Sequence, residues 1–216
     1  MSDQLIEEYI SAHISEEPPL LAQTYRETHL HHLYPRMCSG HVQGRLLKML
    51  TAMIRPRRVL ELGAFTGYST LCMAEALEPG AELHTVEIDD ELEDELLERF
   101  SRAQTAGSIT LHIGDALEVL PGMGGKWDMV FMDANKRHYP QYYEMLVDRV
   151  NPGGYIIADN TLWDGKVAQT PPPSDAQTRG IMEFNDMVAK DSRVEVCIVP
   201  VRDGLTIIRI KEQTGV

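Results

Sequence analysis

VLELGAFTGYS, residues Val59 to Ser69, passes from a strand pattern to a helix pattern within a few positions. Val59, Leu60 and Leu62 suit a buried parallel strand, Gly63 and Gly67 bracket a tight turn, and Tyr68 to Leu77 can then run on as a helix. Strand, glycine turn and helix N-terminus together present backbone N–H groups to a small ligand, and Gly63 would let it approach with no side chain in the way. The next apolar run, ELHTVEID, brings Glu87 24 residues after Gly63. An acid at that strand end of an open α/β sheet is placed to accept hydrogen bonds from ribose hydroxyls. The plainer alternative is an ordinary βαβ unit with a surface acid.

Outward from this unit the alternation continues. Strand candidates are Arg58–Leu62, Glu82–Ile88, Ile109–Ile113, Met129–Met132, Tyr155–Ala158, Val194–Pro200 and Leu205–Ile210. The first five are separated by stretches long enough for helical crossovers, which implies parallel pairing with right-handed connections. Only Val201 to Gly204 separate the last two, which predicts a hairpin and one antiparallel strand. The fold expected is therefore α/β, a doubly wound, Rossmann-like sheet of seven strands, mostly parallel, with N-terminal helices. Gln43 to Ile54 carries Leu46, Leu47, Leu50, Met53 and Ile54 on one helical face and should pack on the sheet. Leu5 to Ile14 and Leu20 to Leu33 read as two further helices broken at Glu16-Glu17-Pro18-Pro19; they precede the first strand, so residues 1–35 should fold over an edge or form a lid. The run from Thr170 through Pro171-Pro172-Pro173 to Asp175 reads as a stiff exposed loop.

At 216 residues the chain fits a single domain spanning 1–216 with a core that needs no disulfide or metal staple. Lys and Arg number 20 against 33 Asp and Glu, a net charge of −13 that repels phosphate backbones and anionic membranes. Much of the acid lies in DDELEDELLE, Asp89 to Glu98, read as the solvated face of a helix. Cys38, Cys72 and Cys197 lie far apart without CxxC pairing, as expected of reduced thiols in a cytoplasmic protein. No apolar run reaches the ~18 residues of a membrane span. His29, His31, His32 and His41 gather near Cys38, but their spacings match no common zinc pattern, and rim or solvent-facing histidines are the reading taken.

Ligands of open α/β sheets bind beyond the carboxyl ends of the strands. The residues there are Glu61 with Gly63, Glu87 with Asp89, Asp115, Asp133, and Asp159 with Asn160. Asp133, Asp159 and Asn160 come from neighbouring strands and offer only oxygen, which suits a hard divalent cation such as Mg²⁺ or Ca²⁺; turn and helix-cap roles are the alternative. Lys136 lies in the loop overhanging them. A nearby divalent cation would make its ammonium easier to deprotonate and so a candidate proton acceptor, against the alternative of a solvated surface lysine.

VLELGAFTGYS, VFMDANKRHY, ADNTLWDG and VPVRDGLTIIR, with MCSGHVQGRLLKML ahead of them, resemble the cation-dependent class I O-methyltransferases, the caffeoyl-CoA and catechol O-methyltransferase group. The resemblance runs from about Tyr34 to Lys211. It implies S-adenosylmethionine as donor, contacted by Glu61, Gly63 and Ser69, with Met37 and Ser39 closing over it, Glu87 on the ribose, and Asp115 and Ala116 beside the adenine. It also implies a divalent cation on Asp133, Asp159 and Asn160, with Asp133 facing both groups and Lys136 as base. Trp163 matches a substrate-facing position or a packing one. Asn135 departs from the acid of plant members, and the amino-terminal segment shows little resemblance. The acceptor implied is a hydroxylated aromatic small molecule of catechol type, and the assembly a homodimer. A hydroxylated tRNA base is the alternative acceptor, which the acidity disfavours. A donor-binding regulatory protein would have no need of the oxygen ligands and lysine, and a nicotinamide enzyme would need a GxGxxG turn that is absent.

Overall fold

Strand β1 (Arg58–Leu62) is buried from Val59 onward, as an apolar run covered on both faces must be. The computed structural model, which describes residues 3–171 and 173–212, places it inside a seven-stranded sheet. The other strands are β2 (Glu82–Glu87), β3 (Ser108–Ile113), β4 (Trp127–Met132), β5 (Val150–Asp159), β6 (Val194–Val199) and β7 (Leu205–Ile210). Their order is β3-β2-β1-β4-β5-β7-β6. The first five pair in parallel, and β7 runs antiparallel to both β5 and β6. This is the Rossmann-like mixed sheet expected, with its terminal hairpin. Strand order reverses between β1 and β4, so the crevice for a ligand opens beyond their carboxyl ends.

Helices cover both faces. α3 (Gly40–Ile54) and α4 (Tyr68–Ala74) lie on one side, where Leu47, Leu71 and Met73 pack against Val59, Leu83, Met129 and Phe131. The residue Gly44 sets their closeness, because a Cβ there would stand 2.7 Å from Cys72 Sγ. On the other side α6 (Ala116–Val119), α7 (Tyr139–Leu146) and α8 (Ala176–Lys190) enclose Leu60, Val130, Met132 and Ile156 with Tyr139, Tyr143 and Phe184. The acidic stretch forms α5 (Glu93–Ser101), with Leu92 and Leu96 turned in against Ala64.

The N-terminal helices α1 (Asp3–His13) and α2 (Pro19–His31) do not wrap a sheet edge. α1 lies against α3, and α2 lies over α4 and the glycine turn, where Thr28 Oγ1 meets Thr66 Oγ1 at 2.8 Å and Arg99 Nη2 reaches Glu27 at 3.1 Å. Most boundaries shift by one to three residues from the sequence reading, and two of the differences have a clear local cause. α4 stops at Ala74, because Ala76 and Leu77 tighten onto Met73 and Ala74 ahead of Pro79-Gly80. β5 begins five residues early, since Gly153 and Gly154 continue the strand; Gly154 packs so near the Asp128 carbonyl that a Cβ would stand 2.8 Å from it. In the Thr170–Asp175 loop Pro171 is exposed, and Pro172 lies outside the described residues, as do Met1, Ser2 and 213–216. Edge strand β6 leaves Val196, Cys197 and Ile198 exposed, whereas Cys38 and Cys72 are buried.

Candidate active site

The turn after β1 is built differently from its sequence rationale. Gly63 has φ +93, and a Cβ on it would stand 2.4 Å from the carbonyl oxygen of Asp133. The bare backbone thus admits the end of β4, which places Asp133 against the glycine turn. Glu61 is fully buried beneath it. Its carboxylate accepts hydrogen bonds from Ser69 Oγ at 2.6 Å, Thr85 Oγ1 at 2.6 Å and Thr70 Oγ1. Burial raises its pKa to about 7, with the three hydroxyls opposing that rise. Glu61 and Ser69 therefore hold each other, pinning the start of α4 to β1 and β2.

Glu87, 7 % exposed, shapes the same rim: Oε2 accepts from Phe65 N–H at 2.6 Å and Oε1 from Asp89 N–H at 3.0 Å. Asp89 and Asp115 cap the turns that follow them, accepting from Glu91 N–H and Leu117 N–H, and Ala116 opens α6 beside Asp115. Met37 is exposed and Ser39 buried in the segment leading into α3.

Asp133, Asp159 and Asn160 come together because Met132 pairs with Ala158, so the residues that follow them leave adjacent strand ends. The Tyr139 hydroxyl fixes both ends, lying 2.9 Å from the Met132 carbonyl and 3.0 Å from that of Asp159. Asp159 is almost wholly buried, and its pKa rises to about 6, first through burial and then through the charge of Asp133. Its Oδ1 accepts from Asn160 N–H at 2.8 Å and its Oδ2 from Gln43 Nε2 at 2.6 Å. Asn160 adopts φ +58, a left-handed conformation that asparagine tolerates. Lys136 is 7 % exposed, with its ammonium on Asp133 Oδ1 and 5.1 Å from the centre of the Tyr139 ring. It is no solvated surface lysine. Gly180 of α8 lets its loop sit close, since a Cβ there would lie 2.4 Å from the Lys136 carbonyl oxygen. Two carboxylates, one amide oxygen and one ammonium leave a net negative charge of oxygen donors, which fits a hard divalent cation.

Three of the four histidines near Cys38 turn to separate partners, His29 to the Tyr25 carbonyl, His41 to the Ser15 carbonyl and His32 to Glu95 at 3.1 Å, while His31 is exposed. Asn135 caps the Lys136–His138 turn. Trp163 packs on the α7–α8 side of the core with φ +48, and its indole N–H is buried without a partner among the described residues. Sequence reasoning missed Gln43 as a site residue and gave Arg202 and Tyr139 no role. For Gln43 the signal was present: it sits three and four residues before Leu46 and Leu47, a polar residue on the buried stripe of α3.

Residues 10–211 match the O-methyltransferase family profile. Caffeoyl-CoA O-methyltransferase of Petroselinum crispum is 34% identical over 222 residues, covering 96% of this chain and 91% of the relative. Caffeoyl-CoA O-methyltransferase 1 of Nicotiana tabacum is also 34% identical, covering 96% and 92%. Among solved structures, the O-methyltransferase TomG of Streptomyces achromogenes in complex with SAM aligns with a TM-score of 0.90 at 29% identity, covering 98% of this chain and 100% of that one. The SAH-bound O-methyltransferase of Bacillus cereus aligns at 0.88 and 25% identity, covering 96% and 97%. The chain belongs to the O-methyltransferase family and is an enzyme of methyl transfer to oxygen.

Proposed function

We propose that this O-methyltransferase takes its methyl group from S-adenosylmethionine and delivers it to one hydroxyl of a vicinal dihydroxy aromatic small molecule, with Mg²⁺ or Ca²⁺ held by Asp133, Asp159 and Asn160. The observation that carries the reading is the pairing of two carboxylates from neighbouring strand ends, Asp133 largely and Asp159 almost wholly buried, with Lys136 beside them. The relatives named caffeoyl-CoA O-methyltransferase and the SAM and SAH of the similar structures support it. On this reading Gly63 and Glu87 border the donor directly, Glu61 and Ser69 shape its turn, Asp115 and Ala116 flank the adenine, and Met37 and Ser39 close over it. Asp133 faces donor and cation.

A phenol titrates near pH ~10 and is a poor nucleophile at neutral pH. Asp133, Asp159 and Asn160 would hold the cation, whose charge would lower the acceptor's pKa. Lys136, beside Asp133, would be placed to take the acceptor's proton in its neutral amine form, its ammonium having first released a proton to solvent. The acceptor oxygen then attacks the methyl carbon in line as the bond to sulfur breaks, and opposite charges cancel. Placement therefore matters more than new charge stabilisation, and the residues that fix strand ends, Tyr139 above all, serve it.

Incubation with labelled donor and a panel of catechols tests the reading. Transfer should be lost on EDTA treatment and in Asp159→Ala; full activity in either overturns the cation role. Lys136→Ala should slow turnover about 10²-fold, with affinity for S-adenosylhomocysteine by calorimetry nearly unchanged; an unaltered rate removes it as the base. Neither the site nor the relatives named above support the tRNA acceptor. A cytoplasmic homodimer completes the proposal, and a monomer by light scattering at micromolar concentration overturns that part. No helix among the described residues is long and apolar enough to cross a membrane.

A further inference from the structure

The turn between β6 and β7, residues 200–204, has no part in the chemistry above, yet it holds both walls of the site. On one side it carries the loop after β5. Thr161 N–H donates to the Gly204 carbonyl at 3.1 Å, Leu162 N–H to the Asp203 carbonyl at 2.9 Å, and Asp164 N–H to Asp203 Oδ1 at 2.5 Å. Gly204, at φ +87, packs so tightly that a Cβ would stand 2.4 Å from Leu162 Cγ. On the other side Arg202 reaches the segment ahead of α3. Its Nη1 donates to the carbonyls of Cys38, at 3.2 Å, and Ser39, and its Nη2 to the Arg36 carbonyl at 3.3 Å.

A third link runs inward. Arg202 Nη1 donates to Gln43 Oε1 at 2.9 Å, and Gln43 Nε2 donates to Asp159 Oδ2 at 2.6 Å. A guanidinium only donates and a carboxylate only accepts, so one orientation of the Gln43 amide satisfies both. At 1 % exposure Gln43 has no water to turn to. Each Asp159 oxygen keeps a lone pair beyond the bonds it accepts here.

We propose that Arg202 and Gln43 are positioning residues that couple the Arg36–Ser39 segment to the carboxylate of Asp159, so that donor binding and cation binding strengthen each other. The inference rests on the methyltransferase reading above. A donor that orders Arg36–Ser39 fixes the carbonyls Arg202 grips; Arg202 then fixes Gln43, and Gln43 fixes Asp159. By linkage the effect runs equally in reverse.

Calorimetry of the full chain with S-adenosylhomocysteine, with and without Mn²⁺, reads the coupling directly, and Mn²⁺ affinity by electron paramagnetic resonance reads it from the other end. Mn²⁺ should tighten S-adenosylhomocysteine binding about tenfold in the unaltered protein, within the usual range of such couplings. Arg202→Met and Gln43→Leu should each bring that factor close to one. Arg202 is exposed, so its variant should keep the fold and serves as the deciding one. A merely structural role would lower melting temperature and weaken both ligands in parallel while the factor survives, and that result overturns the inference. Binding of both ligands to the unaltered protein without coupling overturns it too. Failure of that protein to bind S-adenosylhomocysteine at all overturns the methyltransferase reading beneath it.

Discussion

Gly63 and Glu61 show how far single residues could be read. That position 63 demands glycine was legible from its place between a strand and a helix. The reason was not, because the atom that excludes a side chain belongs to Asp133, seventy residues on. Gly63→Ala should therefore cost about 2–3 kcal/mol in urea unfolding, from left-handed strain added to a backbone clash, and a variant of unchanged stability would contradict the packing described. Glu61 was legible as an acid at a strand end, but its enclosure by three hydroxyls was not, since Ser69, Thr70 and Thr85 meet it only once β2 lies beside β1.

Among elements, β1 and β7 carry the boundaries their apolar runs indicated, because a glycine turn marks one end of each, Gly63 after β1 and Asp203-Gly204 before β7. β5 was read short because Pro152-Gly153-Gly154 has the composition of a turn; the chain bulges there, between the Trp127–Val150 and Met129–Tyr155 pairs, and the strand runs on through the register shift. The acids at the strand ends were all visible, yet which cap turns and which face one another depends on register, as the contrast between Asp115 and Asp159 shows. α8 offers a test at this scale. Gly180→Ala sets a methyl group against the Lys136–His138 turn, so it should lower kcat several-fold, about 1 kcal/mol in the barrier, with KM for the donor nearly constant. Equal kcat would mean that the placement of Lys136 tolerates the shift.

Over the whole molecule, charge is uneven in its effects. The net charge of −13 is carried mostly by solvated acids, but Asp191 is different. Arg193 and Tyr143 hydrogen-bond its carboxylate and hold its pKa at about 2, joining the end of α8 to α7. A depressed acid contributes stability that is complete above its unfolded value near ~4 and is lost as pH falls toward 2. Arg193 is half exposed, so screening reduces the contribution to about 1 kcal/mol. Asp191→Asn should unfold at lower denaturant at pH 7 and lose less than the parent between pH 4 and pH 2; parallel curves would remove the ion pair from the acid response.

The last strand of the sheet brings one more consequence. Cys197 is the single thiol of three that a water-soluble alkylating dye can reach, so the protein carries its own reporter on an unpaired edge. Labelling that slows with rising protein concentration would place a second subunit across that strand, whereas constant labelling would send the search for a partner surface elsewhere.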